Sequence, residues 1–368
     1  MLSNINNINV ISEKYGIDEN YQFKIGTIEL GTYSSDNKFF KCSGLNLKSL
    51  IFDSYLTNNI IIYKAFYELK YMNIEFNLIE NLTIFPPNLK ILICGYNKIK
   101  YLKNLPQTIK TIIAPHNLIK HIDLINCNNL IELNLSYNNL TNENLLIPKK
   151  VNILNISYNK IKYINFKDTE IYNLNADYNF INNIIELPNK LEILSISHNE
   201  LNYFKLDKYN SIKQLNLANN MIKKLSGNFH NLTYLLISNN LLESLDANFK
   251  ILKNLYISNN NIKHIDIPNT VKTLCCKNNE ITEITLHDHM TNIYLPFDQL
   301  KYVNPFNKFI KLWKLGYIHI DEKDEDCIKH LAARTIQRAI RYKMNKNINN
   351  NAYYYNDDID YKKIVVKI

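Results

Sequence analysis

The stretch Leu130-Ile-Glu-Leu133-Asn-Leu135-Ser-Tyr-Asn138-Asn-Leu140 decides how this chain is built, because its frame returns at Leu191-Glu-Ile-Leu194-Ser-Ile196-Ser-His-Asn199-Glu-Leu201. Around and between them Asn77, Asn97, Asn117, Asn138, Asn159, Asn179, Asn199, Asn220, Asn240, Asn260 and Asn279 follow one another at intervals of 19 to 21 residues. A period of that length means that one short supersecondary unit is stacked many times. The alternating aliphatics of each unit predict a short strand with alternate side chains turned inward. Strands of successive coils then pair in parallel and their aliphatics merge into one continuous core. The asparagine falls where the chain leaves the strand. Its amide is expected to be buried and bonded to the backbone of its own and neighbouring coils, because an unsatisfied buried amide is destabilising.

In the frame L-x-x-L-x-L-x-x-N-x-L the chain resembles the leucine-rich repeat family over about residues 69 to 303. The first clear coil is Leu69, Met72, Ile74, Asn77, Ile79; the last is Met290, Ile293, Leu295, Asp298, Leu300, with aspartate in place of asparagine. A further apolar column lies five residues after the asparagines: Leu82, Leu102, Ile122, Ile164, Ile184, Phe204, Leu225, Leu245, Ile265 and Ile284. Glu143 interrupts it, and Leu145 is placed to fill in. Short repeats with Pro86, Pro106, Pro148, Pro188 and Pro268 near their ends favour extended or polyproline geometry over helix. The resemblance is to the short, bacterial-like subclass. It implies an α/β-type solenoid with little helix: a horseshoe with a parallel concave sheet, a mostly extended convex side and a C-terminal helical segment.

Four segments follow: 1–65 as an N-terminal segment and cap, 66–303 as a solenoid of about 12 repeats, 304–345 as a C-terminal cap and basic helix, and 346–368 as a tail. In the first, Phe23, Ile25, Ile28 and Leu30 alternate like one or two strands, and Leu47, Leu50, Phe52 and Tyr55 look like one decayed coil. The six cysteines show no disulfide framework, and Cys94 and Cys276 fall at inward positions where a thiol acts as a small hydrophobe. There is no signal-peptide core and no apolar run long enough to span a bilayer. A cytoplasmic protein is expected, in host cytoplasm if viral. The net charge of +9 goes with an excess of Asn, Ile, Lys and Tyr that looks like an AT-rich genome.

Candidate recognition residues lie on the strands' outward columns. One reads Asn73, Ile93, Ile113, Asn134, Asn155, Asn175, Ser195, Asn216, Leu236, Tyr256, Cys275, Tyr294, a run of amides between apolar ends. The other, just before each repeat asparagine, reads Phe76, Tyr96, His116, Tyr137, Tyr158, Tyr178, His198 and then Asn219, Asn239, Asn259, Asn278. Two readings of the rings stand: a platform for a protein partner, or rings stacked on one another over the turn. The selected concave-face set is Tyr96, His116, Asn134, Tyr137, Asn155, Tyr158, Asn175, Tyr178, His198 and Asn216. Lys100, Lys120, Lys162, Lys223, Lys263 and Lys301 form a basic column, either for an anionic partner or as a solvated edge. Nucleic acid is not the expected ligand, since the repeats contain no arginine forks.

All three arginines, Arg334, Arg338 and Arg341, sit on one basic amphipathic stretch. It resembles an IQ motif, the element that binds calmodulin and light-chain-like proteins. Ile336, Gln337, Arg341 and Lys346 match that pattern, with Arg338 and Ile340 on the same helix, while Tyr342 and Asn349 depart from it. The other reading is a helix that caps the solenoid, a role that Phe306, Phe309, Ile310, Leu312, Trp313, Leu315, Tyr317 and Ile318 are also placed to fill. No nucleophile, phosphate-loop or metal-ligand motif is present, so no enzyme activity, cofactor or metal is expected; His287 and His289 read as surface histidines. The function expected is a non-enzymatic protein-binding module. The alternative is a substrate adaptor of a ubiquitin ligase or other enzyme complex that docks through residues 1–65.

Overall fold

The structure is a computed structural model. It describes residues 70–319 apart from 81, 83–84, 144, 207–210, 297–299, 301 and 305, and the backbone of Ile8–Asn9, Asn20–Ile25, Ile28–Ser34, Phe39–Lys41 and Leu50–Ile51. The expected solenoid is what forms. A fifteen-stranded sheet runs the length of the molecule, and every strand from Tyr71–Asn73 to Asn292–Tyr294 pairs in parallel with the next coil. The register is constant: Leu133 faces Ile112 on one side and Leu154 on the other, so the inward leucines form one column. Those leucines and isoleucines are almost wholly buried and belong to a single apolar cluster from Met72 to Ile318.

The asparagines behave as the repeat frame requires. Asn159 donates to Leu135 O (2.8 Å) in the preceding coil and to Ile156 O and Ser157 O (both 3.1 Å) in its own. Its Oδ1 accepts the Leu140 N–H of the preceding coil at 2.9 Å. The same pattern recurs at Asn97, Asn117, Asn138, Asn179, Asn220, Asn240, Asn260 and Asn279. Each amide thus fastens two coils together, because a primary amide offers both donors and an acceptor at that reach.

The convex side is extended. Short parallel sheets join Tyr101–Leu102 to His121–Ile122, Tyr163–Asn165 to Asn183–Glu186, Tyr203–Leu206 to Lys224–Phe229 and Asp246–Phe249, and Glu283–Thr285 to Tyr302–Asn304. The ladder breaks at the coil with the extra residue near Glu143. There Leu145 packs against the core, and the Asn142 amide takes the place of a strand, accepting from Lys162 N–H (2.7 Å) and donating to Tyr163 O (2.7 Å). The prolines mark turns instead of polyproline stretches. The carbonyls of Pro86, Pro106, Pro148, Pro188 and Pro268 each accept from the N–H three residues on, that of Leu89, Ile109, Val151, Leu191 and Val271. The ring fixes φ at the turn's entry, and the turn returns the chain to the first apolar position of the next coil.

At the N-terminal edge, where the alternation suggested one or two strands, Asn20–Ile25 and Ile28–Ser34 form an antiparallel pair, and Phe39–Lys41 joins the long sheet in parallel with Tyr71–Asn73. Leu50–Ile51, expected in a decayed coil, pairs instead with Ile8–Asn9 outside that sheet. At the other end the helix α1 (Phe306–Lys314) buries Phe309 and Leu312 on the last coil, with Trp313 packed beside them. Gly316 stops it at φ 72°: its N–H donates to Trp313 O (2.8 Å), and Tyr317 N–H donates to Leu312 O (3.0 Å). The chain then lays Ile318 alongside Ile293 as one more parallel rung. Residues 320–368, which include Ile336, Gln337, Arg338, Ile340, Arg341 and Lys346, lie outside the described residues, as do Asp298 and Lys301.

Candidate functional site: the concave face

The turn after each strand holds a residue of positive φ, between 51° and 57°, from Phe76 through Tyr96, His116, Tyr137, Tyr158, Tyr178 and His198 to Asn219, Asn239, Asn259 and Asn278. Asparagine adopts that left-handed conformation most easily of the non-glycine residues, which accounts for the amide half of the column. The aromatic half is held there by ring stacking. Centroids are 4.5 Å apart for Phe76–Tyr96, 4.4 Å for Tyr96–His116, 4.0 Å for His116–Tyr137, 3.9 Å for Tyr137–Tyr158 and 4.1 Å for Tyr158–Tyr178, all within 14° of parallel. His198 ends the run, tilted 47° to Tyr178.

These spacings fall below the ~4.8 Å separation of paired strands. On the other side of the coil Phe229 and Phe249 are 5.4 Å apart. The rings of the column thus pack closer than the strands that carry them, on the side expected from sequence to be concave. The rings cover one another's faces, so what they turn to solvent is ring edges and hydroxyls. The Tyr158 hydroxyl sits between its neighbours, and its pKa is raised above the ordinary tyrosine value by hydrogen bonding to Tyr137, with burial and Tyr178 adding to it.

Beside the rings runs the amide column. Asn134, Asn155 and Asn175 pair edge to edge in register. Each Oδ1 accepts the N–H two residues on, that of Ser136, Ser157 and Asp177, at 3.0 Å. Ser136 Oγ and Ser157 Oγ add 2.9 and 2.8 Å bonds to the same oxygens. Because a backbone N–H only donates, the oxygen's position is fixed and the three NH2 groups point away from the turn; none has a partner among the described residues. Asn216 is different: its NH2 donates to Ser195 Oγ at 2.9 Å.

Asp177 was not among the residues singled out from sequence. Its column otherwise reads Ser136, Ser157, Ser197, Ala218, Ser238 and Ser258 nearby, so a carboxylate there was the available signal. Oδ1 accepts from Ser197 N–H (2.6 Å) and Ser195 Oγ (2.7 Å), and Oδ2 lies 2.9 Å from the same hydroxyl. Among the described residues no cation pairs with Asp177 or with Glu132, which opens the strand of Asn134. His319 was also unforeseen: the rung after α1 stacks it on Tyr294 at 4.3 Å, extending the face.

Elsewhere the basic column is partly neutralised, with Lys100 on Glu80 (3.2 Å) and Lys263 on Glu280 (3.6 Å), all exposed. Cys94, Cys127 and Cys276 are free and buried, Cys275 free and half-buried. Burial pushes the Cys127 thiol up to about 11, with Asp123 adding to it. Among the described residues no group of three or more His, Cys, Asp or Glu side chains is placed to hold a metal ion. No helix among them is long and apolar enough to cross a membrane.

No family model and no curated protein matches the sequence. Solved structures do match. The LRIM1/APL1C complex aligns over 84% of this chain and 66% of its own at 18% identity and a TM-score of 0.59. The leucine-rich repeat domain of APL1B aligns over 74% of this chain and 88% of its own at 21% identity and 0.56. YopM from Yersinia enterocolitica WA-314 aligns over 62% of this chain at 20% identity and 0.50, and the match spans 60% of YopM's length. The fold is thus that of the leucine-rich repeat proteins.

Proposed function

We propose that this chain is a non-enzymatic interaction module that binds a protein partner on its concave face. The observation that carries the reading is the fixed row of amide donors at Asn134, Asn155 and Asn175, lying in register beside a rigid aromatic edge. Pre-ordered polar groups keep the entropic cost of binding low. The tyrosine edge supplies area with few rotamers to freeze. Structural neighbours of this fold include LRIM1, whose solved structure is a complex with APL1C, in keeping with such a role. The four free thiols among the described residues fit the reducing cytoplasm expected from sequence. The test is affinity capture from host extract with mass-spectrometric readout on three proteins: the wild-type chain, a concave Asn155→Arg variant, and a convex variant carrying Lys100→Glu and Lys223→Glu. Partners retained by the convex variant and lost by the concave one support the reading; the reverse pattern overturns it.

A second arm involves the arginine stretch. Phe309, Leu312 and Ile318 are buried at the end of the solenoid and serve as its cap. We read the pattern of Ile336, Gln337, Arg341 and Lys346 as a site that recruits a calmodulin-like protein. Titration of a peptide spanning 328–350 with calmodulin, with and without calcium, is expected to show binding; none in either condition ends this arm.

A further inference from the structure

Resting on the concave-face reading, we infer the chemistry of the partner: an extended peptide segment that carries a basic side chain, its main-chain carbonyls taken by Asn134, Asn155 and Asn175 and its cation by Asp177. Three observations converge on it.

The donor row is the first. Each NH2 points away from the turn because its oxygen is tied to a backbone N–H at 3.0 Å, so on these half-exposed side chains a ligand meets donors already oriented. Adjacent donors stand one coil apart, ~4.8 Å, and same-side carbonyls of an extended peptide recur every ~6.6 Å. The row of three donors is ~9.6 Å long, wider than one ~6.6 Å interval, so it reaches two same-side carbonyls without matching their repeat one for one. This contact reads main chain and not sequence.

Charge is the second. Glu132 opens the strand of Asn134, and Asp177 lies two residues beyond Asn175. Carboxylates on both flanks disfavour an anionic ligand such as a phosphate or an acidic peptide, although amide donors alone would accept one. The ligand must offer neutral acceptors next to a cation, as a lysine- or arginine-bearing peptide does and a neutral sugar does not.

The remaining capacity of Asp177 is the third. Its two oxygens can accept about four hydrogen bonds. Among the described residues two protons reach them, from Ser197 N–H and the Ser195 hydroxyl, since that hydroxyl can donate to Oδ1 or Oδ2 but not both. The carboxylate is held in place by neutral donors with room left on Oδ2, and an ammonium or guanidinium completes it with a charge-assisted bond.

Two near-isosteric variants separate the parts. Asn155→Asp keeps the acceptor for Ser157 N–H and Oγ and removes the donor. Asp177→Asn keeps an acceptor for Ser197 N–H and removes the charge. The probe is a random dodecapeptide display library selected on the full chain. Chosen peptides are then measured by fluorescence anisotropy on wild type, both variants and the convex Lys100→Glu variant, with circular dichroism confirming the β spectrum of each. The inference expects selection for Lys or Arg over Asp and Glu. Asn155→Asp should weaken uncharged peptides at least tenfold, and Asp177→Asn should weaken basic peptides about tenfold while leaving uncharged ones unchanged. Enrichment of acidic peptides, no peptide selected, or affinities unmoved by both variants overturns the inference while the concave-face reading keeps its own test. Peptides lost only from Lys100→Glu would overturn both.

Discussion

Replacing Asn159 by alanine isolates what one rung of the buried amide ladder contributes. Four hydrogen bonds disappear, but they are not equivalent. Leu135 O keeps the Asn138 amide (3.1 Å), Ile156 O keeps the Asn179 amide (3.0 Å), and Ser157 O keeps the Tyr137 N–H (3.0 Å). The Leu140 N–H has Asn159 Oδ1 as its acceptor at 2.9 Å and is left buried without one. An orphaned buried N–H costs about 1–3 kcal/mol. Three carbonyls losing a second donor, with the small void left by the amide, bring the total to about 3 kcal/mol. At a urea m-value of about 3 kcal/mol/M the midpoint falls by about 1 M. Because coils unfold as neighbours of one another, local amide exchange is the sharper assay. The Leu140 amide should lose most of its protection, while Leu118 N–H, bonded to Ile99 O at 3.0 Å, should keep its own. A midpoint within about 0.5 kcal/mol of wild type, or unchanged protection at Leu140, would falsify the view that these amides hold coil to coil.

Three further outcomes are expected. At the left-handed position of Tyr158 (φ 54°), asparagine should cost least, because Asn219 already occupies the same conformation at φ 56°, alanine more, and valine most; urea midpoints in any other order would refute the backbone argument. The Tyr158 hydroxyl titrates higher when folded than when unfolded, so its contribution to stability is fully present below the ordinary tyrosine value of about 10 and is lost as pH rises from there toward the folded value. Stability measured from pH 8 to 11 should decline above about 10, and Tyr158→Phe should blunt that decline. Finally, native thiol labelling at pH 8 should lose one fast-reacting group in Cys275→Ser, whose sulfur is half-buried 3.1 Å from Ser258 Oγ, and none in Cys276→Ser, whose thiol is buried and raised in pKa by that burial; a fast group lost from Cys276→Ser would contradict its placement.

The repeat frame was legible because a solenoid writes its architecture locally. Leu133, Leu154 and Leu174 need face only the same position of adjacent coils, so a period in sequence becomes a column in space. The asparagine column could be assigned a buried, bonded role for the same reason: nothing else satisfies a primary amide inside an aliphatic core. The extended convex side followed from short repeats, and the end cap from the apolar cluster around Phe309 and Leu312.

Sequence alone therefore determined the coil, its period, its core and which columns face out. Tertiary structure decided what those columns present. Only the stacking of coils brings the rings of Tyr137, Tyr158 and Tyr178 within 4.1 Å, turning a row of aromatics into a stack whose faces cover one another. The turn after each strand is what captures the oxygens of Asn134, Asn155 and Asn175 and leaves their NH2 groups directed away from it. The repeat makes Ser195 and Ser197 neighbours of Asp177 in the next coil, but only the stacked geometry shows the carboxylate bonded to both. Periodicity fixes which neighbour a residue has, whereas the direction of a hydrogen bond and the openness of a ring depend on distances set only when coils stack.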